Sequence, residues 1–198
     1  MKPNTSKSNS PTSGHIRIIS GQYRGRKLPV KDVQGLRPTT DRVKETLFNW
    51  LMNDIRDTVV LDCFAGSGGL GFEALSRYAS SVTFIEKDNI AAQQIKSNIS
   101  TLKNPNAILI QGDALLFLAK NTTQFNLAFI DPPFRQGLAQ PICDLLVEKN
   151  ALTQDALIYL EVENELLDFK APSNWSLKKE KTAGQVSYRL YQNTQVER

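Results

Sequence analysis

The chain has few of the residues that build metal centres and covalent active sites. Its 198 residues include one histidine, His15, and two cysteines, Cys63 and Cys143. A lone histidine does not complete a metal site or a catalytic triad, so we expect no bound metal. Cys63 lies in an apolar strand pattern and Cys143 in a helical one, which predicts two free, buried thiols in a reducing compartment.

Long apolar runs are also absent. No segment approaches the ~20 apolar residues that a membrane-spanning helix requires, and the N-terminal residues lack the apolar core of a signal peptide. We therefore expect a cytoplasmic protein that makes no membrane contact. Hydrophobic residues make up 40% of the chain, which is enough for one domain with a substantial core.

Positive charge is concentrated in residues 1–44. This segment holds ten Lys and Arg against two acidic residues, whereas the rest of the chain carries a net charge of −4. A basic segment on an acidic body suggests contact with a polyanion. A solvated basic face without a partner would have the same composition, so charge alone does not decide between the two.

The order of apolar patterns predicts three segments. Residues 1–14, rich in Ser, Thr, Asn and Pro, indicate a disordered tail. Residues 15–55 indicate a basic hairpin and a helix that begins near Thr40, with Leu47 facing the core and Lys44 facing elsewhere. Residues 56–198 alternate strands with helices, which predicts an α/β fold with a mostly parallel sheet.

The predicted sheet has seven strands, the last two of which form an antiparallel C-terminal hairpin. The N-terminal hairpin is predicted at 16–20 and 26–30. The strands of the sheet are predicted at 58–62, 82–86, 107–111, 127–131, 156–161, 175–181 and 186–191, and the helices between them at 69–79, 89–102, 114–121 and 138–148.

The most informative motif is Asp131-Pro132-Pro133-Phe134. It follows a predicted strand, at the carboxyl end where open α/β sheets bind ligands. The prolines remove two backbone donors, which leaves the Asp131 carboxylate, the Pro132 carbonyl and an aromatic ring. Two acceptors beside a flat apolar face suit the exocyclic amine of a nucleobase. A strand-ending turn with Phe134 packed in the core is the alternative.

A glycine-rich loop follows the first strand of the alternating region. Gly66, Gly68 and Gly71 match the G-x-G-x-x-G pattern of dinucleotide-binding folds, in which glycine lets the backbone approach a ligand closely. Glu86 ends the next strand, where an acid can hold ribose hydroxyls. An NAD-type site is therefore one interpretation.

Asp62 favours a different ligand. Its carboxylate stands just before the glycines and would repel a pyrophosphate, whereas S-adenosylmethionine carries an ammonium and a sulfonium. Glu86 could still bind the ribose, and Asp113 could accept from the adenine amine, although it could equally cap a helix. Three acids and a Gly-rich turn at successive strand ends suit a cationic adenosyl ligand.

With these motifs the chain resembles the class I S-adenosylmethionine-dependent methyltransferases. Residues 62–68 resemble the first motif of the class, and residues 131–134 resemble the motif of amino-directed nucleic-acid methyltransferases. The closer resemblance is to the RsmD family of small-subunit ribosomal RNA (guanine-N2)-methyltransferases, and it covers residues 16 to about 191. The blocks that carry it are 17–28, 37–49, 61–68 and 73–77, and the departures at Cys63, Gly69, Phe72 and Phe134 remove no polar functional group.

The resemblance implies a Rossmann-like methyltransferase fold with three groups of site residues. The implied catalytic residues are Asp131, Pro132, Pro133 and Phe134. The implied S-adenosylmethionine site comprises Asp62, Phe64, Ala65, Gly66, Ser67, Gly68, Glu86, Lys87, Asp113 and Ala114. The implied RNA-binding residues of the basic segment are Arg17, Arg24, Arg26, Lys27, Arg37 and Arg42.

The resemblance also implies the reaction, methyl transfer to the exocyclic N2 of a specific guanine. The substrate would be ribosomal RNA within a small subunit or an assembly intermediate, and the enzyme a monomer. A DNA or RNA adenine-N6 methyltransferase could use the same tetrapeptide, although little chain remains for a DNA-recognition domain. An NAD-dependent oxidoreductase is a third possibility, which Asp62 disfavours.

Overall fold

The computed structural model describes residues 14–31, 40–166 and 168–194. Within these residues, an N-terminal hairpin and a helix precede a larger sheet and its helices. In chain order the elements are β1 (Gly14–Arg17), β2 (Lys27–Val30), α1 (Asp41–Trp50), β3 (Val59–Asp62), α2 (Gly69–Ser76), β4 (Ser81–Glu86), α3 (Asn89–Leu102), β5 (Ala107–Gln111), α4 (Ala114–Lys120), β6 (Phe125–Ile130), α5 (Ala139–Glu148), β7 (Leu152–Glu163), β8 (Trp175–Ala183) and β9 (Val186–Asn193).

The larger sheet has seven strands in the order β5-β4-β3-β6-β7-β9-β8. Strands β3 to β7 pair in parallel, and β9 pairs antiparallel with both β7 and β8. The predicted α/β fold with a mostly parallel sheet and a closing antiparallel hairpin is thus confirmed. The strand order reverses between β3 and β6, which opens a crevice at the carboxyl ends of these strands.

Successive residues of the strands pack into two cores on opposite faces of the sheet. Val60 and Phe129 belong to the core beneath α1, α2, α3 and the N-terminal hairpin. Leu61 and Ile130 belong to the core beneath α4 and α5. Both faces are therefore covered, as is usual for parallel strands that are rich in apolar residues.

The N-terminal hairpin is shorter than predicted and is fixed to α2. Strand β1 ends at Arg17 rather than at residue 20, because the backbone N–H groups of Ile19 and Ser20 donate to the Glu73 carboxylate at 2.8 and 3.0 Å. Those donors are therefore not available to β2. Glu73 is fully buried. Its carboxylate accepts the hydrogen bonds of the backbone N–H groups that follow β1.

Other element bounds differ from the predictions by a few residues. Helix α2 ends at Ser76 rather than at 79, because Tyr78 adopts a left-handed conformation with φ of 69°. Gly14 belongs to β1, so the predicted tail overlaps the first strand by one residue. The rest of that tail, residues 1–13, lies outside the described residues.

Candidate active site

A cavity of about 920 Å³ opens at the carboxyl ends of the parallel strands. Its volume is at the upper end of the range for small-molecule pockets, about 300–1,000 Å³. An acidic residue lies at or near the carboxyl end of each of the five parallel strands, and all five line this cavity. In chain order these residues are Asp62, Glu86, Asp113, Asp131 and Glu161.

The glycine loop leads from β3 into α2, and two of its glycines are required by packing. A Cβ atom on Gly68, whose φ is 79°, would lie 2.5 Å from the Phe72 ring, and one on Gly71 would lie 2.2 Å from the Phe84 ring. These two glycines let the loop and α2 pack against aromatic side chains of the core. This packing requires glycine at Gly68 and Gly71 independently of the predicted close approach of a ligand.

Asp62 ends β3 with its side chain buried. Its Oδ2 atom accepts a hydrogen bond of 3.2 Å from the backbone N–H of Gly71. Burial raises the pKa of Asp62 to about 8, and the nearby carboxylates of Asp131 and Glu86 contribute to that increase. A cation that entered beside Asp62 would therefore be strongly favoured, because it would compensate an otherwise unpaired buried carboxylate.

Glu86 ends β4 and holds two backbone segments. Its Oε2 atom accepts from the N–H of Gly66 at 2.6 Å, and its Oε1 atom accepts from the N–H of Asp88 at 2.7 Å. Burial raises the pKa of Glu86, although these hydrogen bonds oppose the increase. The predicted ribose-binding residue is thus at the cavity wall and also shapes the glycine loop.

Asp113 caps α4, the second role that the sequence left open for it. Its Oδ1 atom accepts from the backbone N–H groups of Leu115 and Leu116 at 2.9 and 3.3 Å, and its Oδ2 atom accepts from Lys87 Nζ at 3.2 Å. Burial alone would raise the pKa of Asp113, but the hydrogen bond from Lys87 and those from the α4 backbone lower it. Asp113 is consequently an ionised acceptor on the cavity rim.

Most of the predicted cofactor residues are brought together by the fold. The cavity is lined by Asp62, Phe64, Ala65, Gly66, Ser67, Glu86, Lys87, Asp113 and Ala114. Gly68 is the exception, since it serves as the N-cap residue of α2 and does not line the cavity.

The tetrapeptide Asp131-Pro132-Pro133-Phe134 leaves β6 and borders the same cavity. Phe134 is 43% exposed, so it does not pack in the core, and its ring is available to a ligand. Burial raises the pKa of the Asp131 carboxyl. The loop is fixed to β7, because the backbone N–H of Arg135 donates to the carboxylate of Glu163.

Glu161 is a cavity residue that the sequence analysis did not identify. Leu160 pairs with Ile130, the last residue of β6, so Glu161 of β7 lies beside Asp131, which follows β6. Glu161 is 6% exposed, and its Oε1 atom accepts a hydrogen bond of 2.8 Å from the Tyr159 hydroxyl. Burial and the neighbouring Asp131 raise the pKa of Glu161. The alternation of Tyr159 and Glu161 on one face of β7 was the only sequence signal for this residue.

The described basic residues of the N-terminal segment are on the surface. Arg17, Arg24, Arg26 and Lys27 of the hairpin and Arg42 of α1 have exposed side chains. Arg37 lies outside the described residues. Thr40 and Val43, at the start of α1, line the cavity.

Over residues 14–31, 40–166 and 168–194, no group of three or more His, Cys, Asp and Glu side chains could hold a metal ion. In that same part of the chain, no helix has both the length and the apolar character needed to cross a bilayer.

Known proteins are similar to this chain in both sequence and fold. The family model described as Conserved hypothetical protein 95 matches residues 16–192. The ribosomal RNA small subunit methyltransferase D of Escherichia coli (strain K12) is 56% identical over 186 residues, 94% of each chain. The protein of the same name from Haemophilus influenzae is 54% identical over 184 residues, 91% of this chain and 95% of that one. The solved structure of yhhF from Escherichia coli has a TM-score of 0.86 at 54% identity and covers 91% of this chain and 99% of that chain.

Proposed function

Because the chain belongs to the Conserved hypothetical protein 95 family, the RsmD family of methyltransferases, we propose that it transfers a methyl group from S-adenosylmethionine to the N2 amine of a guanine in small-subunit ribosomal RNA. The observation that carries this proposal is that Asp131, Pro132 and Phe134 line the same cavity as the glycine loop. The groups proposed to accept hydrogen bonds from the base amine therefore line a cavity that is large enough for the cofactor.

The cavity fits the charge of S-adenosylmethionine. Asp62, buried with a raised pKa, suits a cationic amino-acid group, and Glu86 is placed for the ribose hydroxyls at the end of β4. Asp113, with Phe64 and Ala114, borders the part of the cavity in which the adenine would lie. The pyrophosphate of NAD would face Asp62 and Glu86 at short range, which disfavours an oxidoreductase.

Bound S-adenosylmethionine would supply a sulfonium methyl group, and its transfer to the amine nitrogen would break the carbon–sulfur bond and release S-adenosylhomocysteine and one proton. The Asp131 carboxylate and the Pro132 carbonyl accept hydrogen bonds from the two N–H groups of the amine and direct its lone pair toward the methyl group. Phe134 stacks on the base and fixes its plane. Asp131 then receives the proton and passes it to solvent. Positioning of this kind can supply several kcal/mol of the rate enhancement.

The basic N-terminal segment would hold the RNA. Arg17, Arg24, Arg26 and Lys27 are exposed on the hairpin, and Arg42 is exposed on α1. Such residues contact phosphates and position a nucleic acid without reading its sequence, and Arg37 belongs to the same proposed group. The target base must leave its stack to reach Asp131, as in other base-modifying enzymes.

The proposed setting is ribosome assembly in the cytoplasm, with a small subunit or an assembly intermediate as substrate. We propose a monomeric enzyme, and the mechanism requires no metal. An adenine-N6 methyltransferase that acts on DNA or RNA would use the same acceptors and remains the second candidate.

Nucleoside mass spectrometry of small-subunit ribosomal RNA tests the proposal. RNA from a strain without the gene should lack one N2-methylguanosine that the parent strain contains, and the purified enzyme with S-adenosylmethionine should restore it. Loss of N6-methyladenosine instead would favour the second candidate. Calorimetry provides an independent test, since binding of NAD without binding of S-adenosylmethionine would refute the cofactor assignment.

A further inference from the structure

We infer that Glu161 is the residue that selects guanine, by accepting the N1–H of the base whose N2 amine is bound by Asp131. This inference rests on the proposed function and names the base determinant of the same site. It concerns an acidic side chain that the methyl-transfer step itself does not use.

The strand register places the two carboxylates side by side. Ile130 and Leu160 are partners in the parallel β6–β7 ladder, and Asp131 and Glu161 are the residues that follow them in the chain. Both side chains line the cavity. A base whose amine is bound by Asp131 therefore presents the neighbouring atom of its ring to Glu161.

Glu161 is held in place for such a contact. The Tyr159 hydroxyl donates to Glu161 Oε1 at 2.8 Å, and the Tyr159 ring packs edge-to-face against Phe129 in the core. A buried side chain held in this way keeps its geometry when a ligand enters, which is a requirement for selective hydrogen bonding. Burial also makes an unmatched polar contact costly.

The chemistry of the bases then gives the selectivity. Among bases with an exocyclic amine, guanine alone has a ring N–H donor, at N1, beside the amine carbon. Adenine and cytosine have a ring nitrogen acceptor there, at N1 and N3. Two adjacent carboxylates match the two adjacent donors of guanine, whereas they would face a lone pair of adenine or cytosine. Flipped bases are commonly read through this edge.

The test compares the wild-type enzyme with Glu161→Gln on two substrates. These are small-subunit particles with guanine at the methylated position and particles with adenine substituted there. An amide can accept from guanine N1–H or donate to adenine N1. We expect Glu161→Gln to lower kcat/KM for guanine by about tenfold to a hundredfold, the value of one hydrogen bond to a charged group. We also expect the guanine-to-adenine preference to fall.

Three controls separate selection from folding. Glu161→Asp keeps the charge and should retain the preference for guanine even if turnover falls. Glu148→Gln makes the same chemical change on the exposed end of α5 and should leave kcat/KM for both substrates unchanged. Calorimetry with S-adenosylhomocysteine reports whether each variant retains its cofactor cavity.

The outcomes distinguish this inference from the proposed function. Guanine methylation by the wild type with an unchanged guanine-to-adenine preference in Glu161→Gln would overturn the role of Glu161 and leave the proposed function intact. A wild-type enzyme that methylates neither particle would overturn both. A reduced preference in Glu161→Gln, with the preference kept in Glu161→Asp, is the supporting result.

Discussion

The Glu86 carboxylate accepts a hydrogen bond of 2.6 Å from the backbone N–H of Gly66. An acid at the end of β4 thereby fixes the loop that follows β3, twenty residues earlier in the chain. The side chain proposed to bind the ribose thus also determines the shape of the surface on which the cofactor rests.

Replacing Glu86 with Ala should weaken the binding of S-adenosylmethionine by at least about tenfold. The variant loses the proposed ribose acceptor, and the donor on Gly66 loses its partner, which should lower the free energy of unfolding by about 1–3 kcal/mol. Isothermal calorimetry and urea denaturation measure the two effects. Glu45→Ala, on the exposed side of α1, is the matched control, and wild-type affinity in Glu86→Ala would exclude Glu86 from the cofactor site.

Replacing Asp62 with Asn should separate stability from binding. The pKa of Asp62 is raised to about 8 in the folded protein, against about 4 in the unfolded chain. The folded state therefore holds a proton that the unfolded state releases, and stability falls as pH rises from about 4 to about 8. Asn keeps an acceptor for the Gly71 N–H but carries no charge.

We therefore expect Asp62→Asn to have a higher unfolding temperature than the wild type near pH 8, and a smaller difference near pH 5. Its affinity for S-adenosylmethionine should fall because the proposed counterion of the ammonium group is gone. Thermal melts at the two pH values measure the unfolding temperatures, and calorimetry measures the affinity for S-adenosylmethionine. A variant with unchanged affinity would show that the cationic group of the cofactor does not lie beside Asp62.

Asp131→Ala should reduce the rate of methylation by at least about a hundredfold, in the range typical of a positioned acid–base group. Cofactor affinity should remain close to that of the wild type, because the carboxylate is proposed to touch the base amine. Single-turnover methylation and calorimetry provide the two measurements, with Asp54→Ala on the exposed turn after α1 as control. Wild-type turnover in Asp131→Ala would remove Asp131 from the mechanism.

Glu73→Ala should lower the free energy of unfolding by about 3 kcal/mol or more. The change leaves the N–H groups of Ile19 and Ser20 unpaired, together with the Arg77 side chain, whose Nε lies 2.7 Å from Glu73 Oε1. Removing a buried charged acceptor is among the more costly substitutions. Urea denaturation measures the loss, and a change below about 0.5 kcal/mol would show that the hairpin is not fixed through this side chain.

Replacing Arg24 and Arg26 with Ala should weaken binding to ribosomal RNA and reduce its salt dependence. Each phosphate contact that is lost should lower the slope of log affinity against log salt by about 0.7–0.9. Filter binding over a salt series measures the slope, and cofactor affinity should not change. Lys120→Ala with Lys149→Ala removes two charges from the α4 and α5 face and serves as the matched control.

Deletion of residues 1–13 should have a much smaller effect than the Arg24 and Arg26 changes, because that segment contributes only Lys2 and Lys7. An unchanged slope in the arginine variant would place the RNA contact elsewhere. So would a collapse of binding when only residues 1–13 are removed.

The sequence was sufficient for the features that depend on local pattern. Alternation of apolar runs predicted the parallel strands, since buried β-strands and amphipathic helices have different periods. Asp62, Glu86 and Asp131 could be placed at one edge of the sheet, because the carboxyl ends of parallel strands lie together. The role of Asp113 stayed open between an adenine acceptor and a helix cap, because the local sequence pattern fits both.

Tertiary structure decided the features that depend on which segments meet. Asp131 and Glu161 are thirty residues apart in the chain, and only the β6–β7 register makes them neighbours. Lys44 faces away from the core by helical spacing, yet it is buried and donates to the Arg17 carbonyl at 2.6 Å, because the N-terminal hairpin covers α1. A one-residue change of register would turn a side chain to the opposite face of the sheet, so the pairing of strands, which no local pattern specifies, determines the acidic pair at this site.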